Sequence, residues 1–185
     1  MTASEPIDGS LAWNVAGLLA DVPGAERSHE VAIDSIELGD DLRLARPIAG
    51  LVRLVRTNRG ILARARLSTA LDLACSRCLR DIVHPVALEI EEEYLPAIDL
   101  VTGRPLSRDE EPDVERLDDH HELDLEPVVR DAIFLAEPIA PLCRPDCPGL
   151  CIVCGGRLDE GEHDHPSDDI DPRLEALRGF QPDDD

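Results

Sequence analysis

Four cysteines fall within twelve residues of this 185-residue chain, as Cys143-x3-Cys147-x3-Cys151-x2-Cys154 followed by Gly155-Gly156. The remaining two form a second short pair, Cys75-x2-Cys78. So many thiols so closely spaced constrain the fold, because they must be bridged, coordinated or kept apart. Zinc takes four soft N or S donors in a tetrahedron, and C-x2-C turns supply two at a time. Glycines just past the last cysteine let the backbone turn tightly there. Binding deprotonates the thiols and couples metal affinity to folding.

The donor pairing stays open. The simplest set is the local quartet Cys143, Cys147, Cys151 and Cys154. A second scheme joins Cys75 and Cys78 to Cys151 and Cys154 across the chain. A third adds His163 and His165 to Cys151 and Cys154, leaving Cys75, Cys78, Cys143 and Cys147 for another ion. The expected cofactor is structural zinc, one or two ions. Two histidines in an acidic tail are also compatible with plain solvated surface.

Other uses of six cysteines fit less well. The N-terminal stretch has neither the basic nor the apolar region of a secretory signal. No run approaches the ~20 apolar residues that span a bilayer. A cytoplasmic location, where thiols stay reduced, is therefore expected, and disulfides are not. The spacings differ from the common ferredoxin runs. Cys75-x2-Cys78 follows an antiparallel type of strand, whereas a thioredoxin-like pair belongs beside a βαβ unit.

The rest of the chain predicts an α+β fold. Ile61, Ala63, Ala65, Leu67, Thr69, Leu71 and Leu73 alternate with Arg64, Arg66, Ser68 and Asp72, the period of a half-buried strand. Thr57-Asn58-Arg59-Gly60 is a turn signal before it, with strands expected at 28–34 and 48–56. Val86, Leu88, Ile90 and Tyr94 alternate with Glu89, Glu91 and Glu93, completing an antiparallel meander with one wet face. A short helix is expected within Leu11–Ala20. Another starts at an Asp124 cap, carries Pro127 in its first turn and stops at Pro138. This amphipathic helix is expected on the apolar face of the sheet. Residues 1–158 read as a single domain, with an acidic mobile loop at about 96–122 and a cysteine-rich loop at 143–158. An acidic tail at 159–185 includes one short helix at 172–177 and a disordered poly-Asp end.

Charge is distributed unevenly. All 18 basic residues are arginine, and the net charge is -22. Yet Arg43 to Arg80 holds nine arginines against one acid. Arg53, Arg56, Arg59, Arg64 and Arg66 are the candidate RNA-binding set, since arginine forks suit phosphate. Simple decoration of a solvated strand face is the plain alternative. Aromatics make up only 2% of the chain, so RNA contact would rest on charge and shape and not on stacking platforms. The acidic remainder suits a basic protein partner instead. No Gly-rich phosphate loop, H-E-x-x-H motif or recognised Ser/His/Asp arrangement is present, and no enzyme is expected.

Taken in order, the residues from Leu123 to Leu158 resemble a known family. They run from Leu123-Asp124-Leu125-Glu126-Pro127 through Ala140-Pro141-Leu142-Cys143, Asp146-Cys147 and Gly149-Leu150-Cys151 to Cys154-Gly155. Ile170-Asp171-Pro172-Arg173 and the upstream Cys75-x2-Cys78-Leu79 fit as well. The chain from about Arg43 to Leu177 is similar to the YceD family, the large ribosomal RNA subunit accumulation proteins. The resemblance implies a non-enzymatic role in accumulation of large-subunit (23S) ribosomal RNA. Its implied partner is that RNA or a pre-ribosomal particle; the acidic charge makes a basic ribosomal protein the alternative, and no membrane is expected. It also implies that zinc is structural, and that positions like His163 and His165, cysteine in some relatives, bind metal.

Overall fold

A computed structural model describes residues 10–39, 42–99, 104, 114–165 and 173–174. Its centre is a five-stranded sheet. Strands β2 (Glu26–Ile33), β3 (Arg43–Arg56), β4 (Ile61–Ala74) and β5 (Asp81–Leu95) form an antiparallel meander in chain order. A two-residue strand β6 (Glu115–Arg116) adds to β5 in parallel, at Tyr94 and Leu95. Strands β1 (Ala12–Asn14) and β7 (Glu122–Asp124) make a separate antiparallel pair. Helix α1 (Ala16–Leu19) follows β1, and helix α2 (Glu126–Ala136) follows β7 and packs against β5.

The alternation read in the sequence sets the faces. Ile61, Ala63, Ala65, Leu67, Thr69 and Leu71 are buried, while Arg64, Arg66, Ser68 and Asp72 are exposed. Val86, Leu88, Ile90 and Tyr94 continue the buried face on β5. Val129 and Ile133 of α2, and Leu11, Trp13, Val15, Leu18 and Leu19 from the N-terminal segment, cover that face. Two glycines permit the sheet's tightest approaches. A Cβ at Gly50 would lie 2.1 Å from the Arg66 carbonyl oxygen, and one at Gly60 2.0 Å from that of Tyr94.

The elements differ from expectation in three places. The apolar stretch at Leu11–Ala20 divides into β1 and α1, because Asn14 breaks it. The Asn14 amide donates to the His120 carbonyl, and its Oδ1 accepts from the Ala16 N–H. Residues 114–122, expected to be loose, contribute β6, the start of β7 and the buried Leu117. There the Asp118 carboxylate accepts from the N–H groups of His120 and Glu122. The remainder of the acidic loop, at 100–103 and 105–113, lies outside the described residues. Asp124 accepts from the Glu126 N–H at 2.9 Å, although the helix boundary itself falls at Leu125. Pro127 occupies the first turn, where its missing N–H costs nothing.

The segment expected to be a tail begins inside the folded structure, since Asp159 to His165 pack with the cysteine loops. Apart from Arg173 and Leu174, which are exposed, the expected helix at 172–177 and the poly-Asp end lie outside the described residues. No described helix is long and apolar enough to cross a membrane.

Candidate metal centres and the arginine face

The six cysteines are all free and sort into two groups. The first is Cys75, Cys78, Cys143 and Cys147; the second is Cys151, Cys154, His163 and His165. Within each, the donor atoms all lie within 4.8 Å of one another. The fold therefore does not gather the local quartet. It divides Cys143, Cys147, Cys151 and Cys154 two and two. Between the halves lies Pro148-Gly149. Gly149 has a left-handed φ of +86° and passes against the Arg77 carbonyl, which sends Cys147 back to the first pair and Cys151 onward.

Both C-x2-C turns are built alike. In the first, the Leu79 N–H donates to the Cys75 carbonyl at 2.9 Å, and the Cys75 N–H to the Arg80 carbonyl at 2.8 Å. In the second, the Gly155 N–H donates to the Cys151 carbonyl at 2.9 Å, and the Cys151 N–H to the Gly156 carbonyl at 2.7 Å. The residue after the second cysteine is left-handed in each: Gly155 at φ 71° and Leu79 at φ 55°. Leucine is strained where glycine is not. The two glycines following Cys154 thus serve different ends. Gly155 supplies the turn, while a Cβ at Gly156 would stand 3.0 Å from the His163 ring.

The first group sits under the sheet's end. Cys75, Cys78 and Cys147 are buried beside Ile82, Leu142 and Leu150. Its sulfurs are 3.8 Å apart for Cys75 and Cys147 and 3.7 Å for Cys78 and Cys143. A tetrahedron with Zn–S bonds of ~2.3 Å has an edge of about 3.8 Å, so the spacing suits one ion. Ser76 and Arg77 stitch the distant halves together. The Ser76 N–H and hydroxyl both donate to the Pro141 carbonyl, and Arg77 donates to that of Cys147 at 3.0 Å. The sulfurs titrate unequally. Burial opposes the Cys75 thiolate, but N–H groups of Cys143, Arg77 and Cys78, with the Cys78 thiol, outweigh it and bring Cys75 down to about 6. Burial, reinforced by neighbouring thiols, pushes Cys143 up to about 12 and also raises Cys147. Without a cation the group accommodates the Cys75 thiolate readily and resists those of Cys143 and Cys147. A bound dication would offset that repulsion.

The second group is more open. Cys154 Sγ and His163 Nδ1 are 3.4 Å apart, near the about 3.5 Å edge of a mixed S/N zinc tetrahedron. His163 Nε2 lies 2.8 Å from the Arg157 carbonyl, which accepts its proton and leaves Nδ1 facing the cysteines. A carbonyl partner of this kind orients a metal-bound histidine. His165 Nε2 is shielded from water and has no hydrogen-bond partner among the described residues, as a donor awaiting an ion would.

The arginines expected on one patch are dispersed. Arg64 and Arg66 do lie on the exposed sheet face, with Arg53 opposite Arg64 in register. They line a depression of about 270 Å³ with Leu51 and Glu91. Each faces an acid: Arg64 to Glu91 at 3.0 Å, Arg66 to Glu89 at 3.9 Å and Arg53 to Glu26 at 4.0 Å. Arg56 turns inward to donate to the carbonyls of Leu19 (3.0 Å), Gly60 (3.1 Å) and Thr57. It clamps α1 to the β3–β4 hairpin. Arg59 lies exposed on the hairpin turn. Sequence reasoning missed Arg157. Its guanidinium reaches the first group's turn while its carbonyl holds His163. No periodicity or motif spacing marks it.

Residues 63–181, which include every cysteine and both histidines, match the family described as "Large ribosomal RNA subunit accumulation protein YceD". The chain belongs to the YceD family. Uncharacterized proteins of Mycobacterium bovis and Mycobacterium tuberculosis are each 34% identical over 126 residues, covering 68% of this chain and 58% of theirs. An uncharacterized protein of Mycobacterium leprae is 52% identical over 50 residues, 27% of this chain and 23% of that one. The chain thus spans under two thirds of the length of the curated relatives it matches. No solved structure gave a significant match.

Proposed function

We propose that this protein is a non-enzymatic, cytoplasmic factor promoting accumulation of large-subunit (23S) ribosomal RNA, with structural zinc at both donor groups. Family membership carries the ribosomal assignment. The donor spacing of 3.7 and 3.8 Å in the first group carries the zinc assignment. Ions held by four protein donors keep no open position for substrate, so their role is to fix the loops. Zinc analysis of the purified full chain should give two ions, falling to one in a Cys147→Ser variant. No bound metal would refute this part.

Direct RNA contact falls to Arg53, Arg64 and Arg66 around Leu51. Neutral charge ladders bind phosphate weakly, however, and the glutamates opposite these arginines favour a second reading. The protein would then be an acidic adaptor for a basic ribosomal protein. Crosslinking in cells decides between them. A footprint on 23S RNA that disappears in the Arg53/Arg64/Arg66→Ala variant supports direct contact. A basic protein captured in place of RNA, independently of these arginines, supports the adaptor.

A further inference from the structure

We infer that Arg157 is a positioning residue that couples the two metal sites, so that filling the Cys75/Cys78/Cys143/Cys147 group raises the affinity of the Cys151/Cys154/His163/His165 group. The inference rests on the zinc reading and goes beyond it. Arg157 Nε donates to the Cys78 carbonyl at 3.0 Å, and Nη2 lies 3.5 Å from that of Leu79. These two carbonyls belong to the first C-x2-C turn, and the turn's shape depends on where the Cys75 and Cys78 sulfurs are held. The same residue's carbonyl accepts from His163 Nε2 at 2.8 Å, and its backbone pairs antiparallel with Leu150, next to Cys151. One residue therefore touches a ligand of the first site and orients a ligand of the second.

Neighbouring ion pairs brace this link. Glu160 takes Arg157 Nη1 at 3.4 Å and Arg80 Nη2 at 2.9 Å. Asp159 lies 3.2 Å from Arg80 and 3.3 Å from Arg144, the residue after Cys143. With the first site filled, its turn and the 143–147 loop become fixed, and Arg157 is anchored at both ends. His163 then presents Nδ1 without a search. With the first site empty, the carbonyls that anchor the guanidinium move, and the second site must order His163 itself. Linkage requires the effect to be reciprocal.

Cobalt(II) titration of the metal-free full chain tests this, because four-sulfur and two-sulfur, two-nitrogen cobalt sites absorb differently. In the native chain, Cys147→Ser is expected to weaken cobalt binding at the mixed site roughly 10- to 100-fold, the usual weight of a residue that orients a ligand. Arg157→Met should weaken the mixed site similarly, while leaving the four-sulfur site unchanged as long as the mixed site is empty. Adding Cys147→Ser to Arg157→Met should then produce little further loss. Arg157→Lys, which retains charge without the planar fork, should fall between. Trp13, far along the chain in the sheet core, is the only tryptophan, and unchanged emission certifies that each variant is folded. Equal mixed-site affinity in the native and Arg157→Met chains, or additive losses in the double variant, would overturn the coupling while leaving the zinc reading intact. Absence of cobalt binding at either group would overturn both.

Discussion

The molecule has two cores of opposite chemistry. The sheet core is filled by Leu, Ile and Val side chains from nearly every element, with Trp13 and Tyr94 as its largest members. The cysteine core is small: Cys75, Cys78 and Cys147, flanked by Ile82, Leu142, Cys143 and Leu150. The first is non-directional and grows with the area removed from water. The second has too little apolar surface to hold its loops and depends on where a few donor atoms lie. Redundant burial tolerates small errors in geometry, whereas four donors around one ion do not. The same contrast recurs between the metal groups, one buried with four sulfurs and the other more exposed with mixed donors.

The largest expected separation of the two cores comes from chelation. Removing metal from the full chain should abolish amide protection across 143–165 while β3, β4 and β5 remain protected in hydrogen exchange. Loss of protection throughout would mean the sheet core is not self-sufficient. Next comes Ile133→Ala, which cuts the helix's anchor in the sheet core and should cost about 2–5 kcal/mol in denaturant unfolding. Gly50→Ala tests the same core through its backbone. Its new Cβ has no room beside the Arg66 carbonyl, and a loss of about 3 kcal/mol is expected. Zinc content should be unchanged in both. Arg56→Met removes the clamp on α1 and should cost about 2 kcal/mol, visible as faster exchange at Leu19 and Ala20. The smallest effect runs the other way. Leu79→Gly relieves a left-handed leucine and should stabilise the metal-loaded first turn by up to about 1 kcal/mol.

The two cores were not equally legible in the sequence. Strand β4 could be read residue by residue, because alternation encodes a face directly. Helix α2 could be read from Asp124, Pro127 and Pro138 for the same local reason. Strands β1, β6 and β7 could not, being two or three residues long and defined by partners far away in the chain. The candidate donors could be picked out from the cysteine spacing, but the way the fold groups them could not. Cys147 and Cys151 stand four residues apart, and which way each points is decided by the turn at Gly149 against Arg77. The surroundings of the arginines were hidden for a related reason. Composition counts charge, while Glu26, Glu89 and Glu91 arrive beside the arginines only through strand register, and Arg56 is drawn inward by carbonyls that no motif announces.

The order of donors along the chain carries a consequence in time. Cys78 and Cys143 are separated by 65 residues, and Cys75 and Cys147 by 72. A chain emerging from a ribosome exposes the first two thiols long before their counterparts exist. Three strands, β5 to β7, and helix α2 must all be synthesised, with β5 already laid against β4, before the first donor group is complete. The second cannot close until His165 has emerged. On the zinc reading proposed above, the first site can therefore close before the second, because its last donor, Cys147, leaves the ribosome eighteen residues ahead of His165.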